Sequence, residues 1–470
     1  MSVVPSTVVA MEDRWTPEHV LSLAPDAPSR KAAAKLSAPA PWSGTGCDTA
    51  SATAAVWGEC KGSGSTPYRT VVDLTGPAYQ CSCPSRKFPC KHALALLLRW
   101  SAGAGEAAEA PEWAAGWLQG RRERSEQKAA READPAPVVA DEASLLAAER
   151  RRERRAARVA TGAAELEARL ADQLRAGLAD APAQGYAGWA DVAARMVDAQ
   201  APGLASRARE LGAVPSSGPG WPSRLLEEYG LLHLLATGYR RLDTLPEPLA
   251  ATVRARVGFT IDAAEVLRGP RVRDRWLVLG GRDSADDKVT TRRIWLRGTE
   301  TGRDALLLSF GRPGLAPELA LPTGLLLDAE LAFHPGARPL RAVLGTRYGV
   351  PVPPPPVEAV PAGLTLDAAL DAYGRALGDD PWLESWPVVL HRVVPAPTAI
   401  GWELADRSGP VPAAIPVDRR GTPDAGLWRL AAVSAGRPLT LFGECGHRGF
   451  TPVTAWYPEG SAIRTLGVTA

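Results

Sequence analysis

The sequence predicts a multidomain α+β protein, and three observations support this fold class. A strand pattern begins at Thr53 and leads into a Leu-rich helix after residue 92. Helical patterns separated by Pro and Gly fill residues 143–257, and short β-rich runs divided by turn residues follow in residues 258–470. A chain of 470 residues is long enough for about two to four domains with a sizeable core.

Residues 1–118 are predicted to form an N-terminal α+β unit. Two short helices open it, and the first has Thr16 as its N-cap and Pro17 in its first turn. Strand alternation follows in residues 68–74, where successive side chains point to opposite faces. We therefore expect a small sheet that precedes the Leu-rich helix.

Four potential metal ligands lie between this sheet and the helix, namely Cys81, Cys83, Cys90 and His92. Cys81 and Cys83 are two positions apart, so both sulfurs point the same way on an extended segment. Pro84 and Pro89 bracket a loop that brings the other two ligands back toward this pair. The spacing predicts a shared metal ion, while a disulfide or a chance cluster is the alternative.

Three thiolates and one imidazole make the closed tetrahedral shell of a structural zinc ion. We therefore expect one Zn²⁺ that staples a β-hairpin to a helix, with no open position for a substrate and no catalytic role. The remaining cysteines, Cys47, Cys60 and Cys445, are left outside this shell.

The pattern Cys-x-Cys, six residues, Cys-x-His and a Leu-rich helix resembles the SWIM-type zinc finger. That family takes its name from chromatin-remodelling helicases and Mutator-type transposases, and it has free-standing bacterial members. The resemblance covers about residues 68–102 and implies a strand-strand-helix module that holds one zinc ion and binds DNA or protein. Since the sequence contains no Gly-x₄-Gly-Lys-Ser/Thr phosphate loop, we expect a free-standing bacterial member without a helicase domain.

Basic residues near the ligands and on a later helix are the candidate partner contacts. Arg86, Lys87 and Lys91 surround the predicted zinc site. The most basic run of the chain contains Arg150, Arg151, Arg152, Arg154 and Arg155. Such a run can neutralise nucleic-acid phosphates, but it also fits a solvated helix with internal Glu-Arg pairs.

Residues 119–142 are predicted to be a charged, disordered linker, because they are polar, mixed in charge and interrupted by Pro135 and Pro137. The helical region 143–257 follows. Its first helix is expected to bury a seam formed by Val159, Ala163, Leu166, Leu170 and Leu174. Residues 258–470 then form a β-rich C-terminal domain.

Composition limits the classes of function. The 54 basic and 52 acidic residues leave a net charge of +2, so the chain as a whole has no strong basic field and any nucleic-acid contact must be local. We find no signal-peptide pattern and no apolar run long enough for a membrane span. The abundance of Arg, Ala, Gly and Pro is typical of a GC-rich bacterial genome. We expect a cytoplasmic protein whose cysteines stay reduced.

The sequence therefore predicts a non-enzymatic binding module whose expected target is DNA or RNA. A protein-interaction adaptor is the alternative, and an enzyme with its site in residues 258–470 is a third hypothesis. No small-molecule substrate is evident. Carboxylate-only catalysis stays open, because paired acids are recognised by geometry and not by spacing in the sequence.

Overall fold

A computed structural model describes residues 14–48, 54–62, 64–85, 87–133, 142–285, 289–312, 317, 319–406, 412–457 and 463–465. Within these ranges the chain combines three β-sheets with a central helical region, and strands dominate its C-terminal half. The predicted α+β class is confirmed. No helix in the described part of the chain is long and apolar enough to cross a membrane.

The N-terminal unit is a five-stranded sheet packed against helices. Its elements are α1 (Pro17–Ser22), α2 (Ala27–Leu36), β1 (Trp42–Asp48), β2 (Ala55–Cys60), β3 (Tyr68–Asp73), β4 (Ala78–Cys81), α3 (Lys91–Ser101), β5 (Glu106–Ala107) and α4 (Glu112–Ala133). The strand order is β4-β3-β2-β1-β5. Helix α3 forms the centre of the core, because Leu94 and Leu97 are fully buried against α1, α2 and the sheet.

The prediction that residues 119–142 form a disordered linker is wrong for residues 119–133. Helix α4 continues without a break to Ala133, because this stretch consists of Ala, Arg, Glu, Gln and Lys, which favour helix, apart from Gly120 and Ser125. Its first turns pack through Ala114 and Leu118 on Trp57 of the sheet. Residues 134–141, which contain both prolines, lie outside the described residues.

The central region is a group of helices, as predicted. It comprises α5 (Glu142–Ala176), α6 (Ala181–Gln184), α7 (Ala187–Asp198), α8 (Pro202–Leu211), α9 (Trp221–Arg240) and α10 (Glu247–Val257). The expected seam of α5 is buried from Val159 to Leu170, where it meets Tyr229 and Leu232 of α9. Leu174 is the exception, because it is 45% exposed beyond the end of the bundle core.

The C-terminal half begins with α11 (Ala263–Arg268) and a closed barrel of β6 (Arg271–Ala285), β7 (Thr290–Gly298), β8 (Asp304–Gly311), β9 (Leu326–Phe333) and β10 (Arg341–Arg347). The hydrogen-bonded strands follow one another around the barrel in the order β6-β7-β8-β10-β9, and β9 pairs with β6 to close it. Only β8 and β10 pair in parallel, whereas the other barrel pairs are antiparallel. This is the strand connectivity of the OB-fold, a five-stranded Greek-key barrel.

A six-stranded sheet covers one side of this barrel. Its half of the chain contains α12 (Leu366–Asp379), β11 (Ser385–Thr398), β12 (Gly401–Asp406), β13 (Ala413–Pro416), α13 (Asp424–Ser434), β14 (Leu439–Gly446), β15 (Gly449–Trp456) and β16 (Ile463–Thr465). The strand order is β13-β12-β11-β14-β15-β16.

The barrel and this sheet share an apolar interface. Trp295 of β7 meets Phe442 of β14 edge to face, with ring centroids 6.4 Å apart, and Leu306 and Trp456 belong to the same buried cluster. Gly280 permits the close approach, since a Cβ there would lie 2.8 Å from Cγ1 of Val453. The β7–β8 face, on which OB-folds bind oligonucleotides, is therefore covered.

A tryptophan joins the N-terminal unit to the barrel half. Trp15 is fully buried and meets Trp100 of α3 edge to face at 5.6 Å. Its Nε1–H donates a hydrogen bond to the Pro351 carbonyl at 2.7 Å. Close by, the Thr323 N–H donates to Ser22 Oγ at 3.0 Å. Helix α3 is thus tied through α1 to the segments that border the barrel.

Trp15→Ala is expected to lower the free energy of unfolding by about 3–5 kcal/mol, because it empties a buried site and removes the donor to Pro351. Chemical denaturation followed by far-UV circular dichroism measures the change. Trp428→Ala is the control, since Trp428 is 63% exposed and loses only an edge contact with Trp402, worth about 1 kcal/mol. Equal losses in the two variants would contradict the role assigned to Trp15.

Candidate metal centre

The four predicted ligands converge at the junction of a hairpin and a helix. Cys81 ends β4, Cys83 follows it, Cys90 is the N-cap of α3 and His92 lies in the first turn of that helix. Their ligand atoms all lie within 4.8 Å of one another. Cys90 and His92 are buried, whereas Cys81 and Cys83 are half-buried. The structure brings together the whole predicted set.

The backbone of Cys90 explains how the helix begins at the site. Its φ of −74° and ψ of 166° are those of an N-cap, and its sulfur accepts a hydrogen bond from the Ala93 N–H at 3.5 Å. The positive end of the helix dipole therefore faces the cluster, where it stabilises thiolates. The residue that caps α3 is thus also a ligand.

Neighbouring side chains contact Cys81 and His92 and orient these two ligands. In the β3–β4 ladder Thr70 lies opposite Cys81, and its Oγ1 is 3.2 Å from the Cys81 sulfur. Nδ1 of His92 is 3.7 Å from the same sulfur. The ring of Tyr68 packs on the His92 ring, with centroids 4.9 Å apart. Such outer contacts hold ligands in place before and after a metal binds.

Hydrogen bonding within the cluster changes the acidity of its thiols. A hydrogen bond from the Cys90 thiol lowers the pKa of Cys81 to about 4, and the same bond raises the pKa of Cys90. Burial raises the pKa of Cys83. This hydrogen bond favours the thiolate at Cys81, and metal binding displaces the remaining thiol protons.

This donor set fits one structural zinc ion. Three sulfurs and one imidazole nitrogen satisfy the tetrahedral preference of Zn²⁺, and they leave no position for a substrate or an activated water. Among the described residues, no further group of three or more Cys, His, Asp or Glu side chains is placed to hold a metal. Cys47, Cys60 and Cys445 are buried elsewhere as free thiols.

The basic residues near the ligands are less available than the sequence suggests. Lys87 forms an ion pair with Asp26 of the loop before α2. Burial acts in the opposite direction, but hydrogen bonds from Lys87 and Ser29 lower the pKa of Asp26. Lys91 is exposed at the start of α3, and Arg86 lies outside the described residues.

The second basic group is carried by the first half of α5. Arg150, Arg151, Arg152 and Arg154 are exposed, and no ion pair holds any of them in the part of the chain that the structure describes. Arg155 differs, because its guanidinium lies 4.2 Å from the ring centroid of Phe259 and donates to the Gly258 carbonyl at 3.0 Å. Arg155 therefore packs α5 on the end of α10.

Comparison with protein families matches two segments of the chain. Residues 68–101 match the SWIM zinc finger, and residues 154–257 match the SWIM-associated four-helix bundle domain. The first segment spans β3 to α3 with all four ligands, and the second spans most of α5 through α10. No curated protein and no solved structure matches the chain.

Cys83→Ser is expected to abolish stoichiometric zinc binding and to expose residues 54–101 to protease, because metal-binding free energy here is folding free energy. Elemental analysis and limited proteolysis measure the two effects. Cys47→Ser is the matched control, since Cys47 is buried in the same unit but outside the cluster. Full zinc content in Cys83→Ser would refute the ligand assignment.

Thr70→Val is expected to weaken zinc binding by about 10–100-fold while leaving the stoichiometry at one, because it removes the hydroxyl beside the Cys81 sulfur without changing the shape of the side chain. Competition with a chromogenic chelator measures the affinity. Thr161→Val on the exposed side of α5 controls for the substitution itself. An unchanged affinity would show that Thr70 does not support the ligand.

Proposed function

We propose that this chain, a SWIM zinc-finger protein with a SWIM-associated four-helix bundle, is a non-enzymatic module that binds DNA or RNA. The observation that carries the proposal is a group of exposed guanidinium side chains on α5 that have no ion-pair partner among the described residues, formed by Arg150, Arg151, Arg152 and Arg154. Four such charges on one helix are available to neutralise phosphates.

The helix geometry supports this assignment. From residue 149 to residue 158 every side chain of α5 except Arg155 is exposed. The buried seam starts only at Val159. A basic stretch that is solvated on nearly all sides can lie along a groove or a single strand without disturbing the bundle. The alternative prediction of internal Glu-Arg pairs gains no support, since no such pair involves these four arginines among the described contacts.

The zinc finger has a supporting role in this proposal. Its closed shell offers no site for chemistry, and Lys87 in the loop between its ligands is paired with Asp26. We assign to it the folding of the N-terminal unit, with Lys91 as an additional contact. Because zinc thiolates need a reducing compartment, we place the protein in a bacterial cytoplasm.

Replacing Arg150, Arg151 and Arg152 together with Gln is expected to weaken nucleic-acid binding and to reduce the slope of log affinity against log salt by about 2–3 for duplex DNA, since each lost phosphate contact removes about 0.9. Fluorescence anisotropy between about 50 and 200 mM salt measures both.

The matched control replaces three exposed arginines of the bundle region, Arg195, Arg209 and Arg241, with Gln. It removes the same charge from another surface, so its salt slope should stay near that of the wild type. Wild-type affinity that does not fall with salt, or equal slopes in the two variants, would contradict the proposal.

A protein-interaction adaptor is the second candidate, and two exposed leucines on α9 favour it. Leu226 is 52% exposed and Leu234 is 45% exposed on the outward side of this helix. Copurification from the native host, compared with a Leu226→Glu/Leu234→Glu variant, tests the surface. A partner retained only by the wild type supports the adaptor, and identical copurifying proteins count against it.

A further inference from the structure

An open cavity of about 470 Å³ lies between the barrel and the six-stranded sheet. Strands β6 and β7 contribute Arg282 and Arg293 to its wall, and the β14–β15 hairpin contributes Glu444 and Arg448. Arg420 comes from the segment before α13. The volume lies within the range of small-ligand sites, roughly 300–1,000 Å³.

The floor of the cavity is a buried carboxylate shared by two arginines. Glu444 accepts hydrogen bonds from Arg293 Nη2 at 3.1 Å, from Arg282 Nη2 at 3.5 Å and from the Trp295 indole at 2.7 Å. One carboxylate cannot neutralise two guanidinium groups. In addition, the buried Nε of Arg293 has no hydrogen-bond partner among the described residues.

The rim adds two more cations. Arg420 and Arg448 are exposed, and neither forms an ion pair within the described ranges. Arginine forks bind phosphate oxygens in pairs, which gives both strength and orientation. The cavity therefore offers guanidinium groups at its floor and at its mouth.

Carboxylates also line the cavity, but most of them are already engaged. Asp283 is held by Arg292 through two contacts of 2.7 Å, and Glu384 lies 3.7 Å from Arg207 of α8. Asp418 accepts the Arg420 backbone N–H. Four guanidinium groups and four carboxylates line the cavity. Arg207 and Arg292, which lie outside the lining, pair with Glu384 and Asp283, so four lining guanidinium groups face the two remaining carboxylates, a surplus of two positive charges.

We propose that this cavity binds a phosphate monoester as its dianion. The surplus of two charges matches that ligand. His447 is the one aromatic ring among the described lining residues, which include no Phe, Tyr or Trp, so recognition centres on the phosphate and not on a base held between aromatic rings. The monoester could belong to a small phosphorylated metabolite or to the 5′ end of a nucleic-acid strand, and the experiment below separates these sources.

The place of the cavity in the fold supports a ligand role. Ser284 at the end of β6 lines it, next to the connection between the first and second barrel strands. OB-folds use this connection and the adjoining strand face for ligands. Here the six-stranded sheet covers the β7–β8 face of the barrel, while the cavity at the edge of that face stays open. The site shares no residue with the arginines of α5 and is independent of the proposed function.

Calorimetric titration of the full chain tests the site with three probes: glycerol 3-phosphate, a 5′-phosphorylated tetranucleotide and its 5′-hydroxyl counterpart. We expect one-to-one binding of at least one phosphorylated probe. Arg420→Ala/Arg448→Ala should weaken it roughly tenfold or more, since contacts to a charged group are lost. Both arginines are exposed, so this variant should keep the wild-type melting temperature.

Arg375→Ala is the matched control, because Arg375 is exposed on α12 outside the cavity. The Arg150/Arg151/Arg152→Gln variant should bind glycerol 3-phosphate like the wild type, which separates this proposal from the previous one. Preference for the phosphorylated tetranucleotide identifies a strand end, and binding of glycerol 3-phosphate identifies a small molecule.

Three outcomes would overturn the proposal. The first is no saturable binding of either phosphorylated probe to the wild type. The second is undiminished binding in Arg420→Ala/Arg448→Ala. The third is equal binding of the two tetranucleotides without binding of glycerol 3-phosphate, since the monoester would then not be the recognised group.

Discussion

The contact between the four metal ligands and the start of α3 is the constraint on which the N-terminal unit depends. Cys90 is both a zinc ligand and the N-cap of this helix, so metal binding fixes where α3 begins and how it faces the β3–β4 hairpin. Leu94 and Leu97 then fill the core, and Trp100 carries the packing to Trp15. A local chemical site is thus connected to the barrel half through one helix and one tryptophan.

The zinc site could be predicted because its information is local. Four ligands within twelve residues, followed by a Leu-rich stretch, define the site in the sequence. The cavity could not be predicted, since Arg282 and Glu444 are 162 positions apart and meet only when the barrel packs on the sheet. Helix α4 was missed because polar composition indicates a linker, whereas most of residues 119–133 are good helix formers.

The structure of the barrel limits which parts of the chain are free to bind a nucleic acid or another ligand. Its connectivity is that of a fold often used for nucleic acids, yet Trp295 and Leu306 on the usual binding face are buried by the C-terminal sheet. The fold alone therefore does not support binding there. The proposals rest on specific groups: the exposed arginines of α5 for polyanions and the cavity beside Glu444 for a phosphate monoester.

The most direct test of the zinc-centred account is hydrogen exchange of the full chain before and after zinc removal by a chelator. The account predicts lost protection in β3, β4 and α3, a smaller loss near Thr323 and Pro351, and unchanged protection in α7 and α9 of the bundle. Unchanged protection of α3 after complete zinc removal would contradict it.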